Sequence, residues 1–136
     1  MTRMPPDIVV WAKKAQNGVL FVSEEMATFF QEEKKFNTTW EGEAVGMVRL
    51  LATLHRIDLE QVRRTGLLLK QKLAAVADSH PDLIEEIRGE GLILGIKCRI
   101  PNGDVAAAAR AEGLLVVPGG DNVVRLLPPL IIGEAE

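Results

Sequence analysis

Gly91-Leu92-Ile93-Leu94-Gly95-Ile96-Lys97-Cys98-Arg99-Ile100 is the stretch on which the fold turns. Leu92, Leu94, Ile96, Cys98 and Ile100 fall on one side of an extended chain, and Ile93, Gly95, Lys97 and Arg99 on the other. Such alternation is the pattern of a strand with one face on a core. Cys98, on the apolar side, reads as a core residue.

Working toward the C-terminus, Pro101-Asn102-Gly103 is a turn, and an alanine-rich helix over 105–112 stops at Gly113. Strands are expected over 114–117 and 123–127, joined by the loop Pro118-Gly119-Gly120-Asp121-Asn122 and ended by Pro128-Pro129. Toward the N-terminus, Ser79-His80-Pro81-Asp82 reads as opening a short helix that ends near Arg88. Before it lies the cleanest helical periodicity of the chain, Val62, Gly66, Leu69, Leu73 and Val76, with Asp58 as cap and Gln61 three residues on. Gly66 costs about 1 kcal/mol against alanine in a helix, so on the apolar face it reads as permitting close packing.

The first part of the chain is less regular. Residues 8–16 fit a short helix or a strand running into a turn, and Asn17-Gly18 is a turn signal. Val19-Leu20-Phe21-Val22 reads as a buried strand, Ser23 as the cap of a helix over 24–31, and 43–56 as a helix with Val45, Val48, Leu51, Ala52 and His55 on one face. These elements predict an α/β fold, with α+β as the variant: helices packed on a small mixed sheet. The softest point in the chain lies between His55 and Asp58, which divides it into 1–57 and 58–136.

Composition narrows the function. The chain has 136 residues, a net charge of −3 and 26% charged residues of both signs, so there is no basic face for nucleic acid. No apolar run approaches the roughly 20 residues that span a bilayer. One cysteine and two histidines supply neither a disulfide framework nor a typical metal site. The expected setting is cytoplasmic, with no metal, nucleic-acid or membrane partner.

Three groups carry candidate chemistry. Lys13 ends the apolar run Ile8-Val9-Val10-Trp11-Ala12. An amine emerging from apolar surroundings suits imine formation with a carbonyl cofactor, but the residues alone favour a solvated cation at a helix end. Thr38 and Thr39 offer paired hydroxyls to a phosphate, or cap a helix. Arg125 lies within Val123-Val124-Arg125-Leu126-Leu127, where it serves either a structural salt bridge or a carboxylate clamp.

The order of four motifs weighs these readings. Pro5-Pro6-Asp7 with Ala12-Lys13, Asn37-Thr38-Thr39-Trp40-Glu41-Gly42, Arg88-Gly89-Glu90-Gly91-Leu92-Ile93-Leu94-Gly95 and Val123-Val124-Arg125-Leu126-Leu127-Pro128-Pro129-Leu130 together resemble the class III pyridoxal-phosphate aminotransferases. The first half is most similar to the lysine 6-aminotransferase branch and the second to acetylornithine and ornithine aminotransferases. The resemblance implies that Lys13 holds the cofactor and moves the substrate proton. It implies that Thr39, with Thr38, binds the cofactor phosphate of a neighbouring subunit in a dimer. Arg125 matches the arginine that meets a glutamate or a substrate carboxylate.

The resemblance also implies a division of the chain. Residues 1–57 match the end of the large cofactor-binding domain, and 58–136 the small C-terminal domain without its last helix. The family's large domain, with its phosphate loop, stacking aromatic and ring-pairing aspartate, precedes the lysine, and Glu41 replaces a usual glycine. The expectation is therefore a C-terminal fragment of an enzyme that transfers an amino group from an ω-amino acid to 2-oxoglutarate, inactive alone. The alternative is a non-catalytic recombined or engineered domain, a chimera of aminotransferase segments.

Overall fold

The computed structural model describes residues 5–15, 17–31, 39 and 42–136. The chain divides into two compact units, Met1–Arg56 and Ile57–Glu136.

In the first unit, strand β1 (Ile8–Trp11) pairs antiparallel with β2 (Val19–Val22), in a register that sets Ile8 opposite Val22 and Trp11 opposite Val19. The Ser23 amide donates to Asp7 O at 2.8 Å and closes the open end of the ribbon. β2 is not the buried strand its apolar run suggests, since Phe21 is 54% exposed. Two strands alone leave both faces of a ribbon open.

Helix α1 (Glu24–Gln31) follows with Glu24 and Glu25 in its first turn. The Ser23 carbonyl accepts from the amides of Met26 and Ala27, but its buried hydroxyl has no hydrogen-bond partner among the described residues. Helix α2 (Ala44–Leu54) is capped by Glu43, whose carboxylate accepts from the amides of Val45 and Gly46. Its apolar face, with Val45, Val48 and Leu51, is exposed.

The second unit is built around a four-stranded antiparallel sheet of β3 (Ile84–Glu90), β4 (Ile93–Cys98), β6 (Val123–Leu126) and β5 (Val117–Gly119), in that order. β4 (Ile93–Cys98) is central, with Leu94 and Cys98 buried and Ile93 exposed, as its alternation requires. Val124 of β6 (Val123–Leu126) completes the core beside Leu92 and Leu94. Burial pushes the Cys98 thiol above its ordinary pKa, against a smaller opposite pull from a backbone hydrogen bond with Val124. The fold class stands as expected, and every strand pairing in this sheet is antiparallel.

Helix α3 (Leu59–Ser79) starts at Asp58, whose carboxylate accepts from the amides of Glu60 and Gln61, both at 3.0 Å. Gln61 does not complete a capping box. Its amide nitrogen donates instead to Thr65 Oγ1 at 3.2 Å and to Ile132 O at 2.6 Å, tying the helix to the C-terminal segment. Gly66 lies directly on Gly91, which turns between β3 and β4 with φ +57°. A methyl group on Gly66 would sit 2.7 Å from Gly91 Cα and closer still to its carbonyl.

Two expectations are corrected. The helix expected from Ser79 to Arg88 is β3 (Ile84–Glu90), preceded by a turn. Its register on β4 shifts between Ile84 and Glu86. The extra residue of that bulge puts Ile84 and Ile87 three apart on the inward side, a spacing that imitates a helix. The strand expected over 114–117 is β5 (Val117–Gly119), and Leu115 is 83% exposed. β5 is an edge strand, where Pro118 is tolerated because its missing N–H faces no neighbour.

The Pro101-Asn102-Gly103 turn is absorbed into helix α4 (Asn102–Ala111), whose N-cap Pro101 makes no side-chain cap. Asn122 supplies one from a distance: its Oδ1 accepts the Asn102 amide at 2.9 Å, and its Nδ2 donates to Cys98 O and Ile100 O. The Asn102 amide group in turn donates to Gly119 O and Val123 O. The two asparagines latch α4, the end of β4 and the β5–β6 hairpin together.

The Gly66 contact makes a direct prediction. Gly66→Ala gains helix propensity but drives a methyl group into backbone that cannot yield, and should destabilise the protein by about 1–3 kcal/mol. Gly103→Ala, with nothing within 4 Å of its new methyl group, should be neutral or stabilising. Urea unfolding of both variants decides the matter, and a Gly66→Ala protein as stable as the parent would refute the contact.

Candidate functional site

Lys13 follows β1 after one residue, Ala12, and opens a single 3-10 turn, Lys13–Ala15. Its backbone has φ +55°, the left-handed region that a side chain with a Cβ adopts at a cost of roughly 1–2 kcal/mol. The turn is anchored by the buried Ala15, whose amide donates to Ala12 O at 3.4 Å. The Lys13 side chain is exposed and makes no ion pair or hydrogen bond among the described residues. Strained backbone of this kind collects at functional sites, because surrounding structure must hold it. A free amine on such a turn fits an aldehyde cofactor that attaches to lysine.

Thr39 is exposed, in a turn before α2. Thr38 and Glu41 lie outside the described residues. Lys13 and Thr39 belong to the first unit and Arg125 to the second.

Arg125 stands on β6 opposite Gly95 of β4 and Val117 of β5. Gly95 is in turn opposite Arg88 of β3, so the two arginines flank a glycine on one sheet face. Here the two readings of Arg125 part. It makes no salt bridge among the described residues, and its guanidinium leans on Gly119, where an added Cβ would lie 3.3 Å from its Nε. The groove over this face has a volume of about 560 Å3, with Gly89, Gly95, Gly119 and Gly120 in its lining and Arg88 and Arg125 at its sides. An unpaired guanidinium over a glycine floor can receive a carboxylate in the two-pronged geometry that arginine favours.

Sequence reasoning missed the charge network beside it. Asp121 accepts from Arg88 at 2.7 Å and from Lys97. The hydrogen bonds from Lys97 and then Arg88 hold the Asp121 carboxyl below the usual carboxylate range, and the same bond raises Arg88. The signal was present: Lys97 falls on the same side of the alternation as Gly95, and Arg88 is its neighbour once β3 is read as a strand. Among the described residues no helix is long and apolar enough to cross a membrane, and no group of metal-ligating side chains converges.

The class of protein is fixed by comparison along the whole chain. Residues 1–136 match the family Aminotransferase class-III, and the chain belongs to it. The family uses pyridoxal phosphate. More particularly, the chain is 55% identical over 93 residues to the acetylornithine aminotransferase of Mesorhizobium japonicum, covering 68% of this chain and 23% of that protein. It is 35% identical over 141 residues to the acetylornithine aminotransferase of Bacillus subtilis, covering 98% of this chain and 36% of that one. Its fold is similar to lysine aminotransferase from M. tuberculosis, with a TM-score of 0.85 and 26% identity over 96% of this chain and 32% of that one. The chain thus spans about a quarter to a third of the relatives it matches.

Two predictions follow from the geometry. Lys13→Gly relieves the left-handed strain and should raise stability by about 1 kcal/mol while removing the amine, measured as the urea midpoint; a loss of stability would mean the turn is unstrained. Asp121, with its folded pKa depressed, adds stability that is present above its unfolded value of about 4 and is lost as pH falls through the folded value. Urea midpoints between about pH 5 and pH 2 should therefore fall less steeply in Asp121→Asn than in the parent, and parallel curves would contradict the network.

Proposed function

We propose that this chain carries the lysine-bearing segment and small domain of a pyridoxal-phosphate aminotransferase that moves the ω-amino group of acetylornithine to 2-oxoglutarate, with lysine or ornithine as the alternative donors. The observation that carries this reading is the similarity to acetylornithine aminotransferases, which in one case runs along 98% of the chain. Pyridoxal phosphate, when bound, supplies an aldehyde that attaches to amines and a ring that takes up electron density.

Lys13 Nζ would hold the cofactor and move the proton at the donor's amine-bearing carbon. The strained turn that presents it, and its lack of a competing partner among the described residues, support that assignment. Thr39, with Thr38, would donate its hydroxyl to the cofactor phosphate of the partner subunit in a homodimer. Arg125, without an ion pair among the described residues, would take a substrate carboxylate. Residues 1–57 would contribute to the large domain and 58–136 to the small one, in a cytoplasmic enzyme. Because the chain spans only 23% of the M. japonicum relative, turnover by the isolated chain should be negligible. The same share supports the second reading, a non-catalytic domain built from aminotransferase segments.

Incubation with pyridoxal phosphate, borohydride reduction and peptide mass analysis tests the assignment. The cofactor mass should appear on Lys13 in one-to-one ratio and vanish in Lys13→Ala. Label spread over other lysines would reject Lys13 and favour the non-catalytic domain. Formation of glutamate from acetylornithine and 2-oxoglutarate by the chain alone would overturn its inactivity.

A further inference from the structure

Among the described residues Arg125 has no counter-charge, and its neighbours hold it in place. Its guanidinium rests on Gly119, the last residue of β5, with Cδ 3.4 Å and Nε 3.3 Å from where a Cβ would stand. Gly119 leads into the turn Gly120-Asp121-Asn122, in which Asp121 and Asn122 both have left-handed backbone, φ +57° and +53°. Aspartate and asparagine enter that region more readily than other non-glycine residues, and here both side chains are also tied down. Asn122 is fixed from below, on Cys98, Ile100 and Asn102. Asp121 is fixed from the groove side by Arg88 and Lys97.

Arg88 reaches Asp121 by crossing a strand. It starts on β3, passes over Gly95 of β4, where an added Cβ would lie 3.7 Å from its Cγ, and ends on the β5–β6 turn. We propose that Arg88, Lys97 and Asp121 are positioning residues that hold the β5–β6 turn, and with it the Gly119 seat, so that the Arg125 guanidinium is presented to a carboxylate. This rests on the reading of Arg125 as the carboxylate-binding group. The network is also an electrostatic constraint. Asp121 occupies Arg88 and Lys97, and Glu85 and Glu86 act on Arg88 from β3, so among the described residues Arg125 is left as the uncommitted cation of the groove.

The test uses the full chain, glutarate as an unreactive dicarboxylate, and NMR of the Arg125 Nε–Hε group, assigned by its loss in Arg125→Lys. Asp121→Asn should lower the Arg125 Nε heteronuclear NOE in the free protein and weaken glutarate binding by about tenfold. Asp121→Glu should restore both in large part. An unchanged NOE and unchanged affinity in Asp121→Asn would overturn the positioning role. So would tighter binding, since it would mean that released Arg88 and Lys97 simply add to an anion-attracting surface. If glutarate binds equally to Arg125→Lys and the parent, or to neither, the carboxylate role of Arg125 is what fails, and the NOE still decides the positioning of its side chain.

Discussion

The approach of Gly66 to Gly91 sets the geometry of the second unit. A helix normally stands off a sheet by the thickness of its side chains. Here the backbone of α3 touches the backbone of the β3–β4 turn, because neither residue has a side chain. Thr65, next to Gly66, is buried and accepts a hydrogen bond from Gln61. The opposite direction of departure, a left-handed Gly91, is what lets β3 return as β4 beneath the helix. Leu92 and Leu94 then follow into the core.

With that contact fixed, the two faces of the sheet take different roles. One buries Leu94, Cys98 and Val124. The other carries charge in cross-strand rows: Arg88, Gly95 and Arg125 in one, and Glu86, Lys97, Val123 and Gly119 in the next. Glycine recurs where a long cationic side chain must lie flat over the neighbouring strand. Gly95 lets Arg88 cross, and Gly119 lets Arg125 rest. Neither arginine is part of the core, so burial does not fix them; floor shape and hydrogen bonding do.

Much of this was legible in the sequence, and the exceptions have physical causes. α3 and β4 follow from undisturbed periodicity, β2 from its apolar run and α1 from the serine before it, and Gly66 announced close packing by standing on an apolar face. β3 was misread because a bulge converts alternation into a spacing of three. β5 was displaced because its pairing is set by β6 and not by the apolar Leu114 and Leu115, which face solvent. Arg125 could be singled out from its apolar neighbours, but its lack of an ion pair among the described residues could not, since that depends on which strands adjoin it. The strain at Lys13 is likewise invisible in a sequence, because left-handed backbone is written plainly only when glycine occupies it.

The asparagine latch bears on the order in which the chain acquires structure. Helix α4 is ten residues long, and a helix of that length is marginal by itself in water. Pro101 gives its first turn no side-chain cap, so the Asn102 amide is satisfied by Asn122, twenty positions later. The alanine-rich segment therefore gains its N-terminal closure only when the β5–β6 hairpin has arrived at the end of β4. Its helix is conditional on a long-range encounter, and a nascent chain ending short of Asn122 would carry α4 as an unclosed, fluctuating turn.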